Sequence, residues 1–200
     1  MKTAFMLAIF STTLLALVHG HGYIIDPPGR ASRWRKGFPG PPNYDDNGLN
    51  CGGWSQQWEV HGGKCGVCGD EYGIANPKFV HPGVWANNPP IVKTYQAGQI
   101  ITVKVKITAA HKGYFTFRVA PLTSVPITQL QLDQHVLMLP TGEDRWVLGD
   151  RPAAEYTMNL RLPTGLRCAH CVMQWWYTTA NNWQGERPES FVNCADIKIV

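Results

Sequence analysis

The sequence predicts an all-β fold, an immunoglobulin/fibronectin-like antiparallel β-sandwich that follows a long, irregular, disulfide-stapled N-terminal loop region. Three observations support this prediction. From residue 91 onward, short runs alternate between apolar and polar residues, and no long amphipathic helical pattern occurs. Residues 21–95 are instead punctuated by Gly and Pro clusters, and six cysteines are available to staple them. A chain of 200 residues suits one domain with a sizeable core.

The first 20 residues have the pattern of a secretory signal peptide. Lys2 precedes an apolar run, and Val18 and Gly20 are small enough for the −3 and −1 positions of a cleavage site. Cleavage after Gly20 would make His21 the first residue of a mature domain spanning 21–200. No second apolar run is long enough to span a bilayer, so we expect a secreted, extracellular, monomeric product without membrane contact. Cleavage at an earlier residue would leave His21 inside the chain.

The irregular region from 21 to 95 is too rich in aromatic residues for a disordered arm. A short helical turn is expected at Ser55–Val60. Beyond it, strict alternation at 101–107 indicates a half-buried strand. Further strands are predicted at 114–119, 132–139, 156–162, 171–178 and 194–200.

The even number of cysteines in an exported chain predicts disulfides, although the sequence does not choose their pairing. The cysteines are Cys51, Cys65, Cys68, Cys168, Cys171 and Cys194. Two Cys-x-x-Cys pairs, at 65–68 and 168–171, also have the spacing of a four-thiolate zinc site, which is the alternative.

The charge of the chain is mildly basic and does not indicate a nucleic-acid partner. The formal net charge is +4, and loss of Lys2 with the leader lowers it to +3 because residues 1–20 contain no acid. One basic cluster is interpreted as a solvated loop, with contact to an acidic partner as the alternative. It comprises Arg30, Arg33, Arg35 and Lys36.

A terminal histidine offers a metal ion two nitrogens, its α-amine and ring Nδ1. The amine has a reference pKa of about 8, against ~10.4 for lysine, so it yields its proton to a metal more readily. A third nitrogen is expected from His111, which ends the 101–110 segment just before the turn at Lys112 and Gly113. An ordinary turn histidine is the alternative. His135 is predicted to be a core residue, and His61, His81 and His170 are the remaining candidates.

Motifs along the whole mature chain resemble lytic polysaccharide monooxygenases, most closely the animal and insect type, auxiliary activity family fifteen. The chain starts with His21-Gly22-Tyr23 and continues with Asp26-Pro27-Pro28-x-Arg30. The later motifs are Cys51-Gly52-Gly53, Cys65-Gly66-x-Cys68-Gly69-Asp70, Ala109-Ala110-His111-x-Gly113-Tyr114-Phe115, Gln174-Trp175-x-Tyr177-x-x-Ala180-Asn181-x-Trp183 and Phe191-x-x-Cys194-Ala195-Asp196-Ile197.

The resemblance implies one copper ion, held by the amine and Nδ1 of His21 and by Nε2 of His111. It places Phe191 at the axial position, where a side chain without a phenol does not ligate the metal. It also places Ala109 against the other axial face. Three nitrogens in a plane suit Cu(II), and two imidazoles with an amine tolerate Cu(I).

The activity implied by the resemblance is oxidation of a sugar at C1 or C4 with O₂ or H₂O₂, followed by cleavage of the glycosidic bond. The expected partners are an insoluble polysaccharide, chitin before cellulose, and an external electron donor. Candidate side chains for a flat docking face, for any one of which core packing is the favoured interpretation, are Tyr23, Tyr44, Trp54 and Tyr114. Other readings are a non-catalytic chitin-binding protein and a disulfide-stapled structural protein.

Overall fold

Two β-sheets form the body of the protein in the computed structural model, which describes residues 20–180 and 187–200. A three-stranded sheet has the order β1-β3-β6, and a five-stranded sheet has the order β2-β8-β7-β4-β5. The strands are β1 (His21–Asp26), β2 (Lys93–Tyr95), β3 (Ile100–Ala109), β4 (Tyr114–Pro121), β5 (Arg145–Val147), β6 (Glu155–Arg161), β7 (Cys168–Thr178) and β8 (Ser190–Ile199). The predicted all-β sandwich is confirmed. Its strands pair antiparallel except that β2 runs parallel to β8.

Three short helical segments accompany the sheets. A 3₁₀ turn covers Arg33–Lys36, a π-type turn covers Gln56–Val60 at the predicted place, and α1 covers Gln129–Leu132. The predicted strand at 132–139 is wrong. Thr128 caps α1 through a capping box with Gln131, and only isolated bridges at Val136 and Met138 follow the helix. No helix within 20–180 or 187–200 is long and apolar enough to cross a membrane.

The core lies between the two sheets and follows from alternation along the strands. In β3, every second residue from Ile101 to Ile107 is fully buried, whereas its neighbours face outward. In β7, Trp175 and Tyr177 are buried in the same core and Trp176 faces the other side. Because the pattern is strict, a shift of one residue in register would expose this whole apolar set.

The irregular N-terminal region packs against the outer side of the five-stranded sheet and is stapled there. Cys68 pairs with Cys194 of β8, at a sequence separation of 126 residues. Cys51–Cys65 and Cys168–Cys171 are the other two disulfides. The alternative of a four-thiolate zinc site is therefore wrong, because all its sulfurs are in disulfides.

The basic cluster is also different from the predicted solvated loop. Arg30 and Arg33 are buried, with 3% and 4% of their surface exposed. Arg30 forms a two-pronged ion pair with buried Asp196 through Nε and Nη2, at 2.8 and 2.6 Å. Arg35 pairs with Asp46 at 2.6 Å. Arg33 donates to the carbonyls of Pro39 and Trp85. Three of the four basic side chains are therefore part of the packing of the N-terminal region.

Candidate metal centre

Strand pairing brings His21 to the end of the sandwich where His111 lies. In the β1–β3 ladder, His21 is the Cα partner of Ala109, two residues before His111. This close approach of the two strands requires glycine at position 22, because a Cβ there would lie 2.8 Å from Ile107 Cδ1. The ladder therefore joins the predicted start of the mature chain to the predicted second histidine.

The backbone of His111 is held by hydrogen bonds on both sides. Its N–H donates to the hydroxyl of Tyr177 at 2.9 Å, and its carbonyl accepts from Ala180 N at 2.8 Å. The Tyr177 hydroxyl donates in turn to the carbonyl of Lys112 at 2.9 Å. The turn continues through positive φ angles of 51° at Lys112 and 78° at Gly113. His111 itself is 3% exposed, so its ring has little freedom.

Gly20 lies directly against the rings of the site. A Cβ atom built on Gly20 would be 3.0 Å from Phe191 Cε2 and 3.2 Å from His111 Nδ1. The ring of His21 is 5.8 Å from the ring of Phe191, centroid to centroid. The Gly20–His21 peptide bond thus occupies the space between the two histidines and Phe191. Cleavage there would leave a new α-amine in that space.

Phe191 is the second residue of β8 and lies beside these groups, and Glu189 directly precedes the strand. Phe191 is fully buried and its ring is 5.9 Å from that of Tyr177. Glu189 is only 1% exposed, and Asn50 Nδ2 donates to its Oε1 at 3.3 Å. Sequence reasoning did not locate this acid. Its position two residues before Phe191 is the available signal, because alternation in an extended chain sends both side chains to one side.

The Tyr177 hydroxyl remains protonated at ordinary pH. Burial raises its pKa well above the usual value; the hydrogen bond from His111 N lowers it, and the Glu189 charge raises it. The neutral phenol can therefore accept from His111 and donate to Lys112 at the same time. This arrangement keeps the second histidine in place over the whole physiological pH range.

The other histidines lie in different surroundings. His61 contacts Glu71 at 3.1 Å, His81 is exposed, and His170 contacts Asp196 at 2.8 Å. The prediction that His135 is a core residue is wrong, since it is half-buried beyond α1. No group of three or more His, Cys, Asp or Glu side chains suited to a metal occurs within 20–180 and 187–200.

The residues expected on a docking face are not in the core. Tyr44 is 80% exposed, and its ring is 5.3 Å from that of Trp34. Tyr23 and Tyr114 are half-buried beneath the guanidinium groups of Arg35 and Arg145, at 5.5 and 4.9 Å. Trp54 is half-buried and donates from Nε1 to the carbonyl of Arg187 at 2.8 Å. The motif residues Asn181 and Trp183, and the leader up to residue 19, lie outside the described residues.

The donor set and the space around it fit a copper ion. Two imidazoles and one primary amine are neutral or easily deprotonated nitrogen donors, and Cu(II) binds such donors most strongly among divalent first-row metals. Half-buried Ala109 and buried Phe191 offer no donor atom from their side chains. With the α-amine that cleavage after Gly20 would expose, the site would offer three nitrogens beside the carbon surfaces of these two side chains.

Comparisons with known proteins agree with this chemistry. The family model described as "Lytic polysaccharide mono-oxygenase, cellulose-degrading" matches residues 21–197. The lytic polysaccharide monooxygenase aasB of Emericella nidulans is 34% identical over 152 residues, which is 72% of this chain and 42% of that protein. The chain thus spans about two fifths of the length of this curated relative.

One solved structure is more similar in sequence to this chain than aasB is. The AA15 lytic polysaccharide monooxygenase from Thermobia domestica, in the Cu(I) state, superposes with a TM-score of 0.84 and 41% identity. The match covers 90% of this chain and 98% of that one. The family match over 21–197, together with this superposition, shows that the chain belongs to the lytic polysaccharide monooxygenase family.

Proposed function

We propose that the chain, exported and cleaved after Gly20, is a copper-dependent lytic polysaccharide monooxygenase that cleaves crystalline chitin oxidatively, at C1, C4 or both. The observation that carries the proposal is the placement of His21, His111 and Phe191 around the Gly20–His21 bond. Cellulose is the second candidate substrate, because the description of the matching family model names it.

Copper would be held by the new α-amine and ring of His21 and by one ring nitrogen of His111, which the family resemblance gives as Nε2. When bound, copper would supply the one-electron chemistry that lets O₂ or H₂O₂ oxidise a sugar C–H bond. An external donor would supply the electrons. His21 begins β1 and His111 follows its paired residue Ala109 by two positions, so backbone pairing brings the two histidines to the same end of the sandwich.

The surrounding residues would orient the donors and limit access to them. Tyr177 holds the backbone of His111, and Phe191 closes one side with carbon, which excludes water there. Glu189 provides a buried carboxylate two residues before Phe191, and its Oε1 accepts a hydrogen bond from Asn50 Nδ2. The protein would thus orient the ligand nitrogens and exclude water from one side of the metal.

A flat surface beside the metal centre would receive the solid substrate. Exposed Tyr44 belongs to the segment whose Asn47 carbonyl accepts from Gly22 N at 2.9 Å, next to His21. Asn47 Nδ2 also donates to Thr108 Oγ1 at 2.9 Å. These bonds fix the segment to both strands of the site. An aromatic ring on a fixed support can stack on a sugar at a small entropy cost.

The first experiment tests the start of the chain and the metal. N-terminal sequencing and intact mass of the secreted protein should show His21 first and three disulfides. Calorimetry should show one tight copper site, lost in His111→Ala and in a form that retains Gly20, and kept in the matched control His135→Ala. Equal affinity in all four proteins would refute the assignment.

The second experiment tests activity and substrate. Copper-loaded protein with a reductant should release soluble oxidised oligosaccharides from β-chitin, and mass spectrometry would distinguish C1 from C4 products. Parallel digestion of cellulose decides between the two substrates. Tight binding to chitin without oxidised products, with copper bound, would instead establish a non-catalytic binding protein.

A further inference from the structure

A groove lies on the outer side of the five-stranded sheet, where β4 and β7 run side by side. Its volume is about 240 Å³. Tyr114, Thr116 and Arg118 alternate along β4 with fully buried core residues, so their side chains face outward into the groove. Trp176 and Thr178 of β7 line it beside them, and Trp176 is the cross-strand partner of Thr116. None of these side chains is a proposed copper ligand.

The end of α1 forms a polar wall of this groove, and the wall is held in place. Gln129 and Asp133 line the groove, and Gln129 Nε2 donates to Asp133 Oδ1 at 2.9 Å. Fully buried Gln174 donates from Nε2 to Gln129 Oε1 at 2.8 Å, and Gln129 Nε2 donates back to Gln174 Oε1 at 3.2 Å. Gln174 also donates to the carbonyl of Val67 at 2.7 Å. The acid is therefore positioned by a chain of hydrogen bonds that ends in buried structure.

Arg118 brings hydrogen-bond donors next to this acid. Its Nε lies 2.8 Å from Asp133 Oδ1, and its Nη1 donates to Thr116 Oγ1 at 3.1 Å. A guanidinium has five N–H groups and a carboxylate has two accepting oxygens, so both side chains keep capacity for a ligand. The Asp133 side chain is 49% exposed, which leaves it accessible. A ligand in the groove therefore meets donors and an acceptor side by side.

The charges around the groove cancel. Arg118 is paired with Asp133, and Arg145, which lies over the Tyr114 ring, is paired with Asp144 at 2.8 Å. Among the described residues no histidine lines the groove, so its charge balance holds throughout the neutral pH range. The groove consequently suits a neutral ligand whose groups both donate and accept, as hydroxyl groups do.

Trp176 gives the groove a flat apolar surface. The half-buried indole packs against buried Val192 and the Cys51–Cys65 disulfide, which limits its movement. A pyranose ring has a face of C–H groups and a rim of hydroxyl groups, so it can stack on an indole while its rim bonds to polar neighbours. The volume is about eight times the ~30 Å³ that a water molecule takes in the liquid, which suits one such ring.

We propose that this groove is a second saccharide site, which binds one sugar ring of a neutral, soluble oligosaccharide. The C–H face of the ring lies on Trp176, and its hydroxyl groups bond to Arg118 and Asp133. The groove lies on the flank of the sandwich, whereas the metal centre lies at one end. The site needs neither copper nor oxidation, and so it is independent of the activity proposed above.

Calorimetric titration of the mature protein with N-acetylated chitotriose, and in parallel with cellotriose, tests the proposal. For at least one trisaccharide we expect one saturable site with a Kd below about 1 mM, equal with and without copper. Sorbitol, which has hydroxyl groups but no ring, should show no saturable binding.

Two variants and a matched control locate the site. Asp133→Ala should weaken trisaccharide binding about tenfold, because hydrogen bonds to a charged group are the stronger ones. Trp176→Leu keeps an apolar contact with Val192 but removes the flat ring, and should also weaken binding about tenfold. Asp144→Ala is the control, because Asp144 is also 49% exposed and 2.8 Å from an arginine but does not line the groove. It should bind as the parent does.

Several results would overturn the proposal. Absence of saturable binding of both trisaccharides would show that no such site exists, and equal binding of sorbitol would show that the ring is not recognised. Full binding by both groove variants, or an equal loss in Asp144→Ala, would exclude the groove. Loss of binding in Tyr44→Ala or His111→Ala, with Asp133→Ala unchanged, would place the sugar at the docking face or the metal centre instead.

Discussion

Removal of one hydroxyl group, in Tyr177→Phe, tests how the second histidine is held. The hydroxyl accepts from His111 N and donates to the Lys112 carbonyl, both at 2.9 Å. An unsatisfied buried N–H costs about 1–3 kcal/mol, and the second bond contributes about 0.5–1.5 kcal/mol because exposed Lys112 can turn to water. The free energy of unfolding should therefore fall by about 2–4 kcal/mol. For a domain of this size that lowers Tm by roughly 5–15 °C.

Tyr95→Phe is the matched control, because it removes a phenol oxygen from an equally apolar place. Tyr95 is 5% exposed, and its hydroxyl has no hydrogen-bond partner among the described residues. Losing an unsatisfied buried polar group is neutral or stabilising, so unfolding free energy should stay equal or rise by up to about 1 kcal/mol.

Urea unfolding of both variants, followed by tryptophan fluorescence, measures the two free energies, and calorimetry measures copper affinity. Tyr177→Phe should also weaken copper binding, but less than His111→Ala does. A change below about 0.5 kcal/mol in Tyr177→Phe, or a larger loss in Tyr95→Phe, would refute the reasoning.

Three other predictions concern the framework. Replacing Cys68 and Cys194 by Ser opens a loop with a separation of 126 residues. The free energy of unfolding measured in urea should fall by about 5 kcal/mol. A fall under ~1 kcal/mol would contradict the chain-entropy argument. Asp196→Asn should cost about 3–5 kcal/mol at pH 7 by leaving a buried charge. Because the folded-state pKa of Asp196 lies below its unfolded value, the stability that this carboxylate contributes is complete above about pH 5 and is lost as pH falls through the folded pKa. Thermal melts from pH 2 to 7 should therefore show that the melting temperature of the variant depends less on acid than that of the parent. Gly113→Ala places a Cβ 2.0 Å from the Thr178 carbonyl oxygen at a φ of 78°. It should lower the melting temperature more than Gly142→Ala, whose Cβ meets no atom within 4 Å at a φ of 103°. Equal melting temperatures would contradict the steric argument.

Strands whose burial pattern repeats over neighbouring residues could be predicted from the sequence. The alternation at 101–107 predicts β3 because burial repeats every second residue in a strand. Strands β2 and β5 escaped prediction because three residues each are too few to show a period. The strand predicted at 132–139 was wrong for a different reason. Its apolar residues resemble a strand, but the cap at Thr128 starts a helix just before it.

The sequence named two histidines of the candidate metal centre, and their role as ligands stays a prediction. His21 and His111 stand out because the predicted leader ends just before one and β3 ends two residues before the other. Glu189 did not stand out. Its position two residues before Phe191 indicates a shared side of an extended chain, but does not show whether the acid is buried or solvated.

The sequence by itself determined the strand periodicity, the family resemblance and the candidate donor nitrogens, since each is written in residues close together in the chain or in ordered motifs. Tertiary structure alone decided which cysteines pair, that Arg30 is buried against Asp196 rather than solvated, and that Gly20 packs on the rings of His111 and Phe191. The physical reason is distance along the chain. Contacts between residues 126 or 166 positions apart form only when the irregular N-terminal region folds onto the five-stranded sheet, and no local pattern encodes where it does so.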